Sequence, residues 1–148
     1  MLKEKLRADL TTAMKARDEV RTRTLRMALT AITNEEVSGN AARVLSDDEV
    51  VKVLQREAKK RREAAEAFAD AGRTDQADAE RAEGAVVEEY LPAKLSDEEL
   101  ATLVQEAIAE SGASGPRAMG QVMKLLTPRV AGRADGRRVA DAVKSRLS

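Results

Sequence analysis

Apolar residues recur every three or four positions along almost the whole chain, which is the period of an α-helix. Leu2, Leu6, Leu10 and Met14 step by four and predict one face of a first helix. Because the chain has one Phe and one Tyr, its core must be built from Leu, Val, Ile, Met and Ala, which favours packed helices over sheets. The sequence therefore predicts an all-α protein with seven helices and no strand.

Two segments carry the signature of a capped helix start. In "SDDE" the hydroxyl of Ser46 can accept a hydrogen bond from a free backbone amide while Glu49 reaches back to the amide of Ser46. Ser96 and Glu99 repeat the same spacing in "LPAKLSDEEL". Both segments predict capping boxes at the beginning of helices.

Glycines and prolines predict where other helices begin and end. Gly72 suits the position after a helix, and Thr74 begins a fourth helix. Pro116 suits the first position of a helix, whereas Pro128 predicts the end of that helix.

The segment around Pro92 is the best domain boundary, because a proline is followed there by a new capping box. Residues 1–91 are predicted to form an N-terminal helical-hairpin domain of about four helices. Residues 95–148 are predicted to form a small C-terminal domain, a three-helix bundle.

The chain contains no histidine and no cysteine. This removes the commonest general base, the commonest metal ligand, thiolate metal sites and disulfides. Met119 and Met123 lie at helical spacing and are interpreted as core residues rather than ligands. No cofactor and no metal are expected.

Adjacent carboxylates do not predict a catalytic pair. Neighbouring residues on a helix point about 100° apart, so their side chains do not converge on one site. This argument applies to Glu35/Glu36, Asp47/Asp48 and Glu88/Glu89. Intrinsic enzymatic activity is therefore not expected.

No apolar run approaches the roughly 18 residues needed to span a membrane. The first residues, "MLKEKLRADL", include acidic side chains and lack the apolar core of a secretory signal. These features favour a cytoplasmic protein without a membrane partner.

Charge is segregated although the 26 basic and 26 acidic residues balance. Residues 63–91 hold nine acidic and two basic residues, whereas residues 111–148 hold eight basic and two acidic ones. Residues 52–62 hold six basic and one acidic residue. The two basic zones can attract a polyanion locally.

The basic run "KKRR" at residues 59–62 has two interpretations. It fits a solvated helix face, on which Glu63 and Glu66 pair with Lys59 and Arg62 four residues away. It also fits contact with an RNA backbone. The scarcity of aromatic side chains argues against base-specific recognition of single strands.

The closing stretch "GRADGRRVADAVKSRL" at residues 132–147 lacks the spacing of a phosphate-binding P-loop. Gly132 predicts a turn, and Asp135 predicts the N-cap of the last helix after it. The same helix start is surrounded by arginines, which makes it a candidate phosphate contact.

Four segments resemble the GatB/YqeY family, specifically its stand-alone YqeY-like proteins. They are "TLRMALTAITNEE" (24–36), "EEYLPAKLSDEEL" (88–100), "AMGQVMKLL" (118–126) and "GRADGRRVADAVKSRL" (132–147). The C-terminal part also resembles the tail domain of the B subunit of the glutamine-dependent tRNA amidotransferase, a helical module associated with tRNA binding. Similar domains occur on some glutaminyl-tRNA synthetases. The resemblance implies a helical N-terminal domain and a three-helix C-terminal domain.

The resemblance and the charge pattern together favour a non-catalytic helical tRNA-binding accessory protein. The implied partners are tRNA and an aminoacyl-tRNA synthetase or amidotransferase. The residues predicted to contact phosphates, with a glycine that lets the backbone approach, are Arg117, Lys124, Arg129, Gly132, Arg133, Arg137, Arg138 and Lys144.

Two alternatives remain open at this stage. The family is associated with carbon–nitrogen ligases that use glutamine as amido donor, so the chain can be a component of such an amidotransferase complex. The long charged helices also suit a protein–protein adaptor that does not bind RNA.

Overall fold

The computed structural model describes residues 1–112 and 114–147. Within these residues it contains seven α-helices and no strand, which confirms the predicted all-α class. A single 3₁₀ turn, Pro116–Ala118, precedes the sixth helix. The helices are α1 (Leu2–Lys15), α2 (Glu19–Glu36), α3 (Asp47–Asp70), α4 (Thr74–Glu88), α5 (Asp97–Ser111), α6 (Met119–Val130) and α7 (Gly136–Leu147).

The chain divides into two compact units, here called the N-terminal unit (Met1–Leu91) and the C-terminal unit (Pro92–Ser148). In the N-terminal unit α1 packs on α2 and α3 packs on α4, and α2 contacts both α3 and α4. Its fully buried side chains include Leu6, Leu25 and Leu54.

In the C-terminal unit α5, α6 and α7 all contact one another around a separate core. Val104, Val122, Leu126 and Val143 have no exposed surface. Each unit therefore buries its own aliphatic side chains, and burial of apolar surface is the main favourable contribution to its stability.

Both predicted capping boxes are confirmed. The backbone amide of Glu49 donates to Ser46 Oγ and the amide of Ser46 donates to Glu49 Oε1, each at 3.2 Å. The equivalent distances for Ser96 and Glu99 are 3.1 and 3.0 Å. Local hydrogen bonding thus sets where α3 and α5 begin.

One predicted helix end was wrong. Pro128 lies inside α6, which continues to Val130. A proline removes the hydrogen bond that its own amide would donate to the carbonyl four residues back, and α6 ends two residues beyond Pro128. Met14 is 48% exposed although Leu6 is buried, since each step of four residues rotates about 40° around a helix with 3.6 residues per turn. Ala13 takes the buried position instead.

A tyrosine that follows α4 forms a hydrogen bond with an aspartate in the middle of α1. The hydroxyl of Tyr90 donates to Asp9 Oδ2 at 2.5 Å, and Lys5 Nζ donates to the same oxygen at 2.9 Å. These two hydrogen bonds, with that from Tyr90 the larger contribution, hold the pKa of Asp9 below its ordinary value. Burial and the nearby carboxylate of Asp9 raise the pKa of Tyr90.

Tyr90→Phe is expected to raise the pKa of Asp9 towards its ordinary value, because the variant loses the stronger of the two hydrogen bonds. A carboxylate whose pKa is depressed by folding stabilises the protein above the unfolded pKa of about 3.9, and this contribution is lost as pH falls through the folded pKa. NMR titration of the carboxyl carbon of Asp9 measures the shift. The carboxyl of Glu110 in the C-terminal unit is the internal control. An unchanged Asp9 titration would contradict the assignment.

Candidate nucleic-acid interface

The eight residues predicted to contact phosphates all belong to the C-terminal unit. Their positions differ: Arg117 lies in the 3₁₀ turn, Gly132 and Arg133 lie between α6 and α7, and the others lie on helices. Lys124 and Arg129 belong to α6, and Arg137, Arg138 and Lys144 belong to α7.

The turn between α6 and α7 reverses the chain through two left-handed residues. Ala131 has a φ of 50° and Gly132 a φ of 76°, a region that glycine adopts without steric cost. Asp135 Oδ1 then accepts a hydrogen bond from the backbone amide of Arg137 at 3.0 Å. The predicted N-cap is therefore confirmed, and the carboxylate of Asp135 occupies part of the positive end of α7.

Arg133 and Arg138 hold the segment that leads into α5. Arg133 Nε donates to the carbonyl of Ala93 at 2.8 Å, and Arg138 Nη1 donates to the carbonyl of Leu95 at 2.8 Å. Arg138 Nη2 also donates to Asp97 Oδ1 at 2.6 Å. Because each guanidinium satisfies backbone carbonyls of the same segment, the structure gives both arginines a role in holding the C-terminal unit together.

Arg129 also has an internal partner. Its guanidinium forms an ion pair with the carboxylate of Glu110 at the end of α5. The hydrogen bond between them raises the pKa of Arg129 and lowers the pKa of Glu110. Arg129 thus connects α6 to α5.

The four remaining cations, Arg117, Lys124, Arg137 and Lys144, are exposed. Within the described residues their side chains form no hydrogen bond or ion pair, so no internal contact must break before they bind an anion. We call these four residues the exposed cation set.

Two members of the exposed cation set share one side of α7. Arg137 and Lys144 are seven residues apart, which places them two turns and about 10 Å apart along the helix. Asp141 lies on the same side between them and is also exposed. Its carboxylate lowers the local positive potential, so this side of α7 is only moderately basic. Arg146 is a further exposed cation of α7 that the sequence-based set omits.

The "KKRR" run only partly fits a solvated face. Lys59 pairs with Glu63 at 3.9 Å, as predicted. Arg62 pairs with Glu88 of α4, at 3.6 Å. Arg61 is 12% exposed and lies against α4, which corrects the solvated interpretation for this residue. The reason is that α4 packs along α3, a contact that helical periodicity alone does not reveal.

The adjacent carboxylates point to different partners, in agreement with the 100° argument. Glu35 pairs with Arg56, whereas Glu36 pairs with Lys3 on α1. Glu88 and Glu89 likewise pair with Arg62 and Arg21. Across residues 1–112 and 114–147, no group of three acidic residues is placed to hold a metal ion. None of the helices in these ranges is long and apolar enough to cross a bilayer.

A second cationic surface was missed by the sequence analysis. Arg17 lies just after the end of α1, and Arg23 and Arg26 lie on α2. The fold places all three around one open groove, together with Lys60 of α3. The sequence signal, four arginines within ten residues, was visible in "ARDEVRTRTLR". Its significance depends on α3 lying beside α2, which is a tertiary contact.

Comparison with known proteins identifies a family relationship. The family model described as Yqey-like protein matches residues 3–147, nearly the whole chain. No curated protein shows significant similarity to the sequence.

Proposed function

The chain belongs to the YqeY-like family, and from this premise we propose that it is a non-catalytic accessory protein that binds tRNA through its C-terminal unit. The resemblance that the sequence analysis draws between the C-terminal part and the tail domain of the amidotransferase B subunit is the reason to propose a tRNA ligand. The same resemblance supports action beside an aminoacyl-tRNA synthetase or within an amidotransferase complex.

The observation that carries the proposal is the exposed cation set. Of the seven predicted cations, Arg129, Arg133 and Arg138 have internal partners, whereas Arg117, Lys124, Arg137 and Lys144 have none among the described residues. Unpaired surface cations bind phosphates by releasing the counterions of the nucleic acid. We therefore assign phosphate contact to the exposed cation set and structural roles to the other three.

Recognition of this kind depends on shape and charge rather than on base sequence. The one Tyr and the one Phe of the chain both belong to the N-terminal unit, so the C-terminal unit has no aromatic side chain on which a base could stack. Contacts to the phosphates of a folded RNA do not need such a surface. A structured RNA such as tRNA fits this chemistry better than a single strand.

The test is filter binding of the full chain to total tRNA at about 50 and 200 mM salt. Four phosphate contacts predict affinity about 50- to 150-fold weaker at the higher salt. The variant Arg137→Ala/Lys144→Ala is expected to lose two contacts, which lowers the slope of log K against log salt by about 1.5. Asp141→Asn should strengthen binding, because it removes the opposing charge.

The matched control is Lys15→Ala/Lys52→Ala, which removes two exposed helical lysines from the N-terminal unit. This control should retain the wild-type slope, and thermal melting should show that both double variants remain folded. Absence of tRNA binding, or equal slopes for the variant and the control, would refute the proposed function.

A further inference from the structure

An open groove of about 950 Å³ lies on the N-terminal unit between the end of α1, α2 and α3. The apolar side chains of its lining, here called the floor, include Met14, Met27 and Ala31. Met14 is 48% exposed, which is unusual for a large apolar side chain in this protein. Methionine is unbranched and polarizable, so such a floor adapts to apolar side chains of different shapes.

The charged side chains that line the groove, here called its rim, are mostly basic. Arg17 and Lys60 are exposed, and among the described residues their side chains have no partner. Arg26 is also exposed, and its one described side-chain contact is with Met14 Sδ at 3.8 Å. Two acidic residues also line the groove, so its basic residues outnumber its acidic ones by five to two. One of them, Glu57, pairs with Arg61. The other is Glu19 at the start of α2.

The backbone holds Arg17 in a strained conformation. Its φ of 56° lies in the left-handed region, which is sterically unfavourable for an L-residue and favours glycine. The turns that follow α3 and α5 adopt positive φ with Gly72 and Gly112. After α1 an arginine adopts this conformation, as Ala131 does after α6, so substitution of Arg17 by glycine should be compatible with the fold.

We propose that this groove binds an acidic amphipathic helix of a partner protein. The apolar side chains of such a helix would cover Met14 and Met27, while its carboxylates would pair with Arg17, Arg26 and Lys60. Charge complementarity selects an acidic partner. An apolar floor favours a helix over an RNA backbone, because phosphates would leave the thioethers without an apolar partner. The site is separate from the exposed cation set and extends the proposed function to a protein partner.

The experiment measures binding of a fluorescein-labelled peptide of about 16 residues, long enough to form a helix, to the full chain by fluorescence anisotropy. The peptide has leucines at helical spacing on one face and glutamates on the other. A peptide of the same composition in scrambled order is the peptide control. We expect the ordered peptide to bind more tightly than the scrambled one.

The protein variant is Arg17→Gly/Lys60→Ala, with Lys52→Ala as the matched control on α3. Two lost ion pairs predict about tenfold weaker peptide binding by the variant. Arg17→Gly relieves the backbone strain, so the variant should melt no earlier than the wild-type chain. This outcome would separate loss of binding from loss of folding, and the control should bind as the wild type does.

Several results would overturn the inference. One is equal binding of the ordered and scrambled peptides to the wild-type chain. Another is unchanged peptide binding by Arg17→Gly/Lys60→Ala. A third is self-association of the wild-type chain that is abolished in this variant. Loss of tRNA affinity in the groove variant without peptide binding to the wild type would identify an RNA surface instead. The proposed function is tested separately, because Arg137→Ala/Lys144→Ala should leave peptide binding unchanged.

Discussion

Arg61→Ala is expected to lower the free energy of unfolding of the N-terminal unit by about 3 kcal/mol. The side chain of Arg61 is 12% exposed, and its guanidinium lies among the carboxylates of Glu57, Glu80 and Glu83. The side chains of these three glutamates are 19%, 20% and 11% exposed, respectively. Without Arg61, these carboxylates would lose their shared counter-charge in a partly dehydrated position. Removal of one partner from a buried ion pair is costly for this reason.

The geometry places the expected loss at the lower end of the range for buried pairs. The three nitrogen–oxygen distances are 3.5, 3.7 and 3.6 Å, which are long for charge-assisted hydrogen bonds. Arg61 Nε and Glu80 Oε2 are buried and have no hydrogen-bond partner among the described residues. Arg23 supplies a second cation to Glu83, at 2.8 Å, and this contact would remain in the variant.

Urea denaturation followed by circular dichroism measures this loss. Arg81→Ala on α4 is the matched control, because Arg81 forms an exposed pair with Asp78 that is worth at most about 1 kcal/mol. Adding Glu80→Gln to Arg61→Ala should recover part of the lost stability, since it removes one unpaired charge. Equal losses for Arg61→Ala and Arg81→Ala would show that Arg61 has no special structural role.

Leu126→Ala is expected to destabilise the C-terminal unit by about 2–5 kcal/mol. Leu126 has no exposed surface and lies in the core that α5, α6 and α7 share. The substitution removes buried methyl groups and leaves a cavity, and a small unit has little stability in reserve. We therefore expect a substantial unfolded fraction of this unit and a matching loss of tRNA binding.

NMR spectra of the full chain measure this effect, because they report on both units at once. Signals from the C-terminal unit should lose dispersion while those from the N-terminal unit keep their positions. Leu103→Ala is the control, since Leu103 is only partly buried against the same core and should cost less. Full tRNA binding by an unfolded C-terminal unit would contradict the assignment of the RNA contacts.

Helix boundaries could be predicted where they depend on neighbours in the chain. Ser46 with Glu49 and Ser96 with Glu99 form hydrogen bonds within one turn, so four residues of sequence contain all the necessary information. Asp135 likewise caps α7 through an amide two residues away. Pro128 was misjudged by two residues, because a proline that removes a single amide hydrogen bond can still lie within the last turn of a helix.

The availability of each arginine could not be predicted, because it depends on partners that are distant in the chain. Arg133 and Arg138 bond to Ala93 and Leu95, about 40 residues away, whereas Arg137 between them has no such partner among the described residues. In sequence the three residues are nearly equivalent. Only the approach of the segment before α5 distinguishes them.

The periodicity of the apolar residues was sufficient to establish an all-α chain, since the helical period and the helix caps act over a few residues. The burial of Arg61 and the gathering of Arg17, Arg26 and Lys60 around one groove arise from the packing of α2, α3 and α4. Packing brings together side chains that local hydrogen bonding leaves independent. It is therefore packing that separates the cations that hold this fold from those that remain exposed to a partner.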